Sequence, residues 1–340
     1  MTLTQTATFA RRFILGFLIF SVLGTISYIG YRIWYTNYLA SLPPIEEKPD
    51  TKFGILPQLE LPKSKASSGN FTYTLDTATG ALPDFGKLIK VYFMPKASAT
   101  FLSAEKGKTL AEKFNFDTSP QILTQTKHRF QIENRILTVE LDTGNFVYQT
   151  DATPSGQTLD DDNKLTQDFK DFLSQLGVLN SDLQSDKIKI KLLRFDGSKF
   201  IPASGRNEAS AAQIFLWPKD LDKIPIIFSD INKSLVQAEI IGSARKLENY
   251  RSINFTFWPV DTTTFATYPL KPPSLAFEEL KGGEATLVTE LGSQNVSITS
   301  VYIAYFQSEN YTPYLQPVYV FEGPGFTAYV SALTNEFLSI

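Results

Sequence analysis

The chain has 340 residues, and its content of 43% hydrophobic, 13% aromatic and 20% charged residues is typical of a packed core rather than a disordered protein. Since 32 basic residues nearly balance 35 acidic ones and no basic run is interleaved with aromatics, the sequence predicts no nucleic-acid binding. The absence of cysteine excludes disulfides, thiolate metal sites and cysteine nucleophiles.

An uncharged, mostly apolar run covers residues 13–31 and is long enough to cross a bilayer as one helix. We expect a cytoplasmic tail at residues 1–12 and a transmembrane helix at residues 13–35, in contact with the lipid bilayer. A cleaved signal peptide is the alternative, but its apolar region is shorter, about 7–15 residues, and a small-x-small cleavage site follows closely. The predicted membrane-anchor residues are basic or aromatic: Arg11, Arg12, Tyr28, Tyr31, Arg32, Trp34 and Tyr35.

The charges that flank the apolar run are only weakly asymmetric. Arg11 and Arg12 precede it, whereas Arg32 follows it, with Lys48 and Lys52 among acidic residues further on. Long domains translocate largely regardless of charge. We therefore expect a single-pass plasma-membrane protein with a cytoplasmic N-terminus and an extracytoplasmic C-terminal domain.

The next segment, residues 36–70, is rich in proline, which forbids a continuous helix and favours extended backbone. We expect a stalk here, although the apolar residues within 53–61 would alternatively allow docking. A first α+β module is predicted at residues 71–155. Its elements are a hairpin around the turn at 76–80, a strand at 88–95, a helix capped by Ser103 with Leu110, Ala111 and Phe114 on one face, and two strands at 121–132 and 135–150.

A second α+β region is predicted at residues 156–340, either as one region or as two modules, 156–260 and 261–340. Leu165, Phe169, Phe172, Leu173 and Leu176 have helical spacing, and Gly177 ends that helix. Strand-like runs follow, then a short helix capped by Ser274 before Gly282, then three more strand-like runs. The predicted fold class is α+β, with one N-terminal transmembrane helix and tandem helix-plus-antiparallel-meander modules.

A family resemblance lies in the C-terminal third, roughly residues 268–337. Tyr268-Pro269-Leu270 precedes SLAFEELKGG, and VYIAYF, YLQPVYVFEG and TAYVSALTNEF follow in that order. This order resembles the YycI/YycH group of membrane-anchored regulatory proteins and the wider PepSY/cystatin-like domains. The resemblance implies a bacterial host, an extracytoplasmic part made of helix-plus-sheet modules, no catalytic residues, and a role accessory to a sensor histidine kinase.

The motifs that resemble chemical sites have simpler structural explanations. His128 is the only histidine, and strand alternation places it on the face of Phe130 and Ile132. Residues 160–163 lack the glycine and distal glutamate of a calcium loop and suit a helix N-terminus. Residues 323–325 lack the Lys-Ser/Thr of a phosphate loop and suit a hairpin turn. We predict no catalytic residues, no metal and no cofactor.

Aromatic residues of the last strands form either a sheet core or a recognition surface. The candidate interaction surface consists of Tyr302, Tyr305, Tyr314, Tyr319 and Phe321. We expect a non-enzymatic regulatory protein that binds a protein partner in the cell envelope, a sensor kinase or an envelope enzyme. The alternatives are a peptidase inhibitor or chaperone-like PepSY module, and an unrecognised cell-envelope hydrolase. The sequence does not indicate an oligomeric state.

Overall fold

The computed structural model of the chain describes residues 3–41, 48–65, 70–154, 158–289 and 294–339. It divides into two units, Met1–Lys48 and Pro49–Ile340, and we call the second unit the body. The helices are α1 (Leu3–Ser41), α2 (Phe101–Lys113), α3 (Asp162–Leu176) and α4 (Pro273–Gly282). The strands are β1 (Thr72–Leu75), β2 (Leu88–Phe93), β3 (Gln121–Thr124), β4 (Lys127–Ile132), β5 (Arg135–Glu140), β6 (Phe146–Gln149), β7 (Ile188–Phe195), β8 (Phe200–Pro202), β9 (Ala211–Leu216), β10 (Ile226–Ile227), β11 (Val236–Ile240), β12 (Tyr250–Phe255), β13 (Asp261–Pro269), β14 (Thr286–Leu287), β15 (Asn295–Ile298), β16 (Ser300–Phe306), β17 (Tyr314–Gly323) and β18 (Phe326–Ser331).

In the first unit, α1 contains a stretch that is long and apolar enough to span a membrane. This stretch, Ile14–Tyr38, has 25 residues and a mean hydropathy of 1.8, and none of it is buried against protein. Two pairs of rings stack near its C-terminal end, Tyr31 on Tyr35 and Trp34 on Tyr38. Of the predicted anchor residues, Tyr28, Tyr31, Arg32, Trp34 and Tyr35 are exposed, and the side chains of Arg11 and Arg12 lie outside the described part.

The larger sheet of the body has nine strands in the order β3-β4-β5-β6-β12-β11-β9-β7-β8. Its first half is α2 followed by the antiparallel meander β3 to β6. Its second half is α3 followed by β7, β9, β11 and β12, with the short β8 at the edge. The two halves meet at β6 and β12, which pair antiparallel with Gln149 opposite Ser252. This sheet takes strands from both sides of residues 155–156, where the sequence predicted a module boundary.

Both α2 and α3 pack on one face of this sheet and share a core with it. Phe172 of α3 stacks on Tyr250 with ring centroids 4.5 Å apart, and Phe114 lies 5.0 Å from Tyr148. The predicted apolar face of α3 is confirmed, because its five predicted residues are all buried. The Asp161 side chain caps α3 by accepting from the Lys164 N–H, and Gly177 ends the helix in the left-handed conformation.

The N-terminus of α2 differs by one turn from the prediction. Thr100 is the N-cap, and Ser103 lies three residues inside the helix. The Thr100 N–H donates to the Ser103 Oγ over 3.0 Å, which is one half of a capping box. Ser103 therefore provides a hydrogen-bond acceptor for the Thr100 N–H from within the helix. Leu110, Ala111 and Phe114 are buried, in agreement with the predicted apolar face.

The second sheet has seven strands and holds the C-terminal third of the chain. Its main order is β10-β16-β17-β18-β14, and β2 joins it by pairing with both β17 and β13. The predicted turn at residues 323–325 connects β17 to β18, with Gly325 at φ +69°. Helix α4 buries Ala276 and Leu280; it begins at Pro273 and is not capped by Ser274, and Gly283 ends it in the left-handed conformation.

The hairpin predicted around the turn at residues 76–80 is wrong. The turn exists, since the Gly80 N–H donates to the Thr77 carbonyl over 2.9 Å. However, β1 pairs in parallel with the distant β15, with Thr72 opposite Asn295. The segment after the turn contains Pro83, which cannot donate to a strand ladder.

The region 121–150 also differs from the prediction. The sequence predicts two strands there, whereas the structure has four, β3 to β6.

The predicted stalk is largely part of the body, which begins at Pro49. Leu56 is fully buried, and its backbone pairs with the C-terminal segment through 2.8 Å hydrogen bonds with Phe337 and Ser339. The Gln316 Nε2 donates to the Pro57 carbonyl over 2.8 Å. Prolines keep this segment extended, as predicted, but its apolar side chains gain more by packing than by remaining in water.

A buried ion pair fixes α4 to the strand segment that precedes it. The Lys271 Nζ lies 2.7 and 2.6 Å from the two carboxylate oxygens of Glu279, and only 2% of the Lys271 side chain is exposed. The Tyr319 hydroxyl donates to the Lys271 carbonyl over 2.6 Å. Both charges are therefore removed from water, and each depends on the other.

We predict that Lys271→Met lowers the free energy of unfolding by about 3–5 kcal/mol, because it leaves the Glu279 carboxylate buried without a partner. The double variant Lys271→Met/Glu279→Leu should recover most of that loss. Denaturant unfolding of the full chain in detergent, followed by tryptophan fluorescence, measures both. Lys281→Met is the matched control, since its pair with Glu278 is exposed and contributes less than about 1 kcal/mol. Equal losses for the two single variants would contradict the buried pair.

Candidate functional site

Three of the five predicted interaction residues lie in the core. The side chains of Tyr305, Tyr319 and Phe321 are 1%, 0% and 0% exposed, whereas Tyr302 and Tyr314 are half-buried. Strand β17 lies inside the seven-stranded sheet with apolar clusters on both of its faces, so alternation brings none of its central side chains to the surface. The prediction of one surface made of these five residues is therefore wrong for the three buried ones.

The structure brings Tyr302 and Tyr305 together at a cleft of about 460 Å³. The cleft lies between β2, β16 and the two-residue turn that connects Leu221 to Ile224. The residues that matter for its chemistry are Phe85, Lys90, Asp222, Lys223, Tyr302 and Tyr305. We call this feature the Asp222 cleft.

The turn at the rim of the cleft has an unusual backbone for its sequence. Leu221 and Ile224 exchange both backbone hydrogen bonds, at 3.0 and 2.8 Å, around Asp222 and Lys223. Asp222 has φ +51° and Lys223 φ +68°. Two-residue hairpin turns with two positive φ angles favour asparagine or aspartate followed by glycine, so Asp222 suits its position, whereas Lys223 in place of glycine costs about 1–2 kcal/mol. The contacts of the turn must offset this strain.

Those contacts centre on the Asp222 carboxylate. Its Oδ2 accepts from the Lys90 Nζ and from the Tyr92 hydroxyl, each over 2.7 Å. Lys90 and Tyr92 are two residues apart on β2 and therefore point to the same side. The Lys90 Nζ also lies 4.6 Å from the ring centroid of Phe265, and the Tyr305 hydroxyl donates to the Lys90 carbonyl over 3.0 Å.

These hydrogen bonds determine the charges in the cleft. The bond from Lys90, and then the bond from Tyr92, hold the pKa of Asp222 below its usual value. Burial, and then the neighbouring Asp222, raise the pKa of Tyr92. Burial also raises the pKa of Tyr305. At neutral pH the cleft therefore presents an ionised Asp222 carboxylate, and the buried phenols of Tyr92 and Tyr305 beside it are neutral.

This arrangement suits recognition better than nucleophilic chemistry. An activated nucleophile needs a base that readily takes its proton, but Asp222 is a weak base and Tyr92 keeps its proton firmly. The Lys90 and Asp222 side chains are 37% and 52% exposed, so both can also contact a bound group. A fixed pair of opposite charges beside half-buried Tyr302 offers a polar, oriented contact to a partner.

A second cavity, of about 390 Å³, brings together a lysine, a carboxylate and a serine. It is lined by Lys271, Glu279 and Ser331, the residue types that a hydrolase would use. Lys271 is held by both oxygens of Glu279, and the buried Ser331 Oγ has no hydrogen-bond partner among the described residues. The serine-to-base hydrogen bond that activates a nucleophile is thus missing from this part of the structure.

A third cavity, of about 650 Å³, lies beside α2, and the charges there have structural partners. The Lys113 Nζ donates to the last carbonyls of α3, those of Gln175 and Leu176, over 3.0 and 2.9 Å. Asp142 pairs with Lys96 over 3.1 Å. These contacts join α2 to α3 and cap the C-terminus of α3.

The remaining sequence motifs have structural surroundings. His128 is half-buried in β4, opposite Val139 on one side and Ile122 on the other. Asp161 caps α3, as predicted for the acidic run. Across the described residues, no group of three or more histidine, cysteine, aspartate or glutamate side chains is arranged to hold a metal ion.

Sequence reasoning missed Lys90, Tyr92 and Asp222. Lys90 and Tyr92 lie in a strand-like run whose composition indicates only a strand. Asp222-Lys223 contains no glycine, so it lacks the usual signal for a two-residue hairpin. Only the fold brings these residues together, since Asp222 is 130 positions from Tyr92.

No protein-family model matches this chain, and no curated protein sequence matches it. The resemblance to the YycI/YycH group therefore stays a prediction.

The strain in the turn gives a direct prediction. Lys223→Gly should raise the free energy of unfolding by about 0.5 kcal/mol, because relief of the left-handed backbone exceeds the added entropy of the unfolded glycine. Lys219→Gly, an exposed site where φ is not positive, should lower it by about 0.5–1 kcal/mol. Denaturant unfolding measures both. If the two glycine variants change stability in the same direction, the turn does not have the described backbone.

Proposed function

We propose that this protein is a single-pass, membrane-anchored protein whose extracytoplasmic body binds another protein of the cell envelope without catalysing a reaction. The observation that carries the proposal is the Asp222 cleft. It combines a rigid turn, a fixed Lys90–Asp222 pair and the exposed part of Tyr302 at one place on the body. Pre-organised charges beside aromatic surface favour specific protein recognition.

The anchor supports the membrane part of the proposal. Ile14–Tyr38 has the length and composition of a span, and aromatic residues lie near its C-terminal end. A long domain after such a span translocates largely regardless of flanking charge. An extracytoplasmic body is also what the YycI/YycH resemblance implies.

The topology supports the proposed kinship with PepSY/cystatin-like modules. Each half of the nine-stranded sheet is a helix followed by an antiparallel meander, α2 with β3 to β6 and α3 with β7, β9, β11 and β12. The proposed partner is accordingly a sensor kinase or an envelope enzyme, and an envelope peptidase would fit the inhibitor-like variant of the same proposal.

Because the chain has no native cysteine, one introduced cysteine can test location and partner together. Lys223→Cys places a thiol at the rim of the cleft, and Ser198→Cys places one on the exposed turn between β7 and β8. A membrane-impermeant maleimide that carries a photo-crosslinker is applied to intact cells. We expect both thiols to react, and only Lys223→Cys to capture one defined envelope protein, identified by mass spectrometry.

The outcomes separate the parts of the proposal. Labelling of neither thiol until the cells are lysed would contradict the extracytoplasmic body. Labelling of both with no captured protein, or with the same proteins from both, would contradict recognition at the cleft. Loss of capture by Asp222→Asn in the Lys223→Cys background would link the captured partner to the ion pair.

A further inference from the structure

The nine-stranded sheet has a second face, opposite α2 and α3, with a regular pattern across its strands. Residues that lie directly opposite each other on neighbouring strands form transverse rows, and each row keeps to one face. The row Phe130–Leu137–Tyr148–Ile253–Ala238–Ile214–Ile190 is entirely hydrophobic and points into the core.

The two rows that flank this core row point to the opposite face and are mostly polar. One is Gln131–Ile136–Gln149–Ser252–Glu239–Gln213–Lys191. The other is Arg129–Thr138–Val147–Asn254–Gln237–Phe215–Lys189. Seven strands at about 4.8 Å spacing give each row a length of about 29 Å. A shallow cavity of about 370 Å³ lies over the middle of both rows.

Several hydrogen-bonding groups in these rows have no partner among the described residues. The side chains of Gln149, Gln237 and Ser252 are at least partly exposed and make no hydrogen bond to any described residue. Amides and hydroxyls both donate and accept hydrogen bonds, which matches a ligand rich in hydroxyl groups. The partly exposed Ile136 and Val147 add apolar surface between them.

The charged side chains near both ends of the two rows are basic. Arg129 is at one end, and Lys189 and Lys191 are at the other; Lys189 bonds only to the neutral Asn232 amide and keeps its charge uncompensated. The acid in the rows, Glu239, is neutralised by its ion pair with Arg251. This face therefore attracts anions at both ends and carries no uncompensated acid within the two rows.

We propose that this face binds a linear, carboxylate-bearing polysaccharide that lies along the two rows, across the strands. Its hydroxyl groups bond to the unpaired amides and Ser252 in the middle, and its carboxylates contact Arg129, Lys189 and Lys191 at the ends. An extended peptide would instead pair with the backbone of a sheet edge, and these rows lie on a face rather than an edge. The site is separate from the Asp222 cleft and does not depend on the protein-binding proposal.

Titration calorimetry with a hyaluronan oligosaccharide tests the site on the full chain in detergent. We expect binding that weakens with added salt. Gln237→Ala/Ser252→Ala should weaken it by about tenfold, because two uncompensated hydrogen bonds are lost. Lys189→Gln/Lys191→Gln should weaken it and reduce its salt dependence. Gln175→Ala, an exposed glutamine on α3 at the other face, should leave it unchanged.

Two further ligands make the result decisive. A neutral chitin oligosaccharide should bind more weakly than hyaluronan, and a polyglutamate peptide should bind more weakly still. Equal binding of polyglutamate and hyaluronan would overturn the proposal, because charge alone would then explain it. No binding of hyaluronan, or equal losses in the Gln175 and Gln237/Ser252 variants, would overturn it too. Circular dichroism and unfolding of each variant establish that folding is retained.

Discussion

The pairing of β6 with β12 is the constraint on which the nine-stranded sheet depends. It joins two meanders that lie far apart in the chain, and the ring of Phe146 stacks on Phe255 across the seam at 5.2 Å. Without this seam each meander would present an open edge, and each helix would have only half a core to cover. Phe172 of α3 contacts both Tyr250 of β12 and Phe114, which follows α2, so the two helices and the two meanders share one core.

This one-sided covering explains why the two sheets offer different surfaces. Helices on one face of an antiparallel sheet leave the other face in water, and alternation then fills that face with polar side chains. The seven-stranded sheet is different, because apolar clusters cover both faces of β17. Its aromatics therefore stabilise the core, and the proposed recognition site lies where β2, β16 and the turn at Asp222 meet. Both proposed binding sites therefore lie where no other described element covers the sheet.

Local signals in the sequence predicted α3 and the last strands but misplaced the caps of α2 and α4. The helix α3 followed from its apolar spacing, its acidic cap and Gly177, and β16 to β18 followed from strand-like runs. Strand partners that are distant in the chain could not be predicted in the same way. Alternation with a period of two shows which side chains share a face of a strand, but it does not show which strand pairs with it. For this reason the sequence predicts a hairpin for β1, a stalk around Leu56 and a possible surface position for Tyr319, and the structure differs at all three. The Asp222 cleft could not be predicted for the same reason, because its ion pair joins Lys90 to Asp222, which are 132 positions apart in the chain.

A disulfide across the seam tests the shared sheet most directly, in a chain that has no cysteine of its own. The Thr150 N–H donates to the Arg251 carbonyl over 2.8 Å, so the next pair, Gln149 and Ser252, is of the non-hydrogen-bonded type with Cα atoms about 4.5 Å apart. Gln149→Cys/Ser252→Cys should therefore form a disulfide on mild oxidation, detected as a linked peptide by mass spectrometry. Gln149→Cys/Asn254→Cys, on the same face but diagonal at about 7–8 Å, should not. Absence of the first disulfide, or equal formation of both, would contradict the joined sheet.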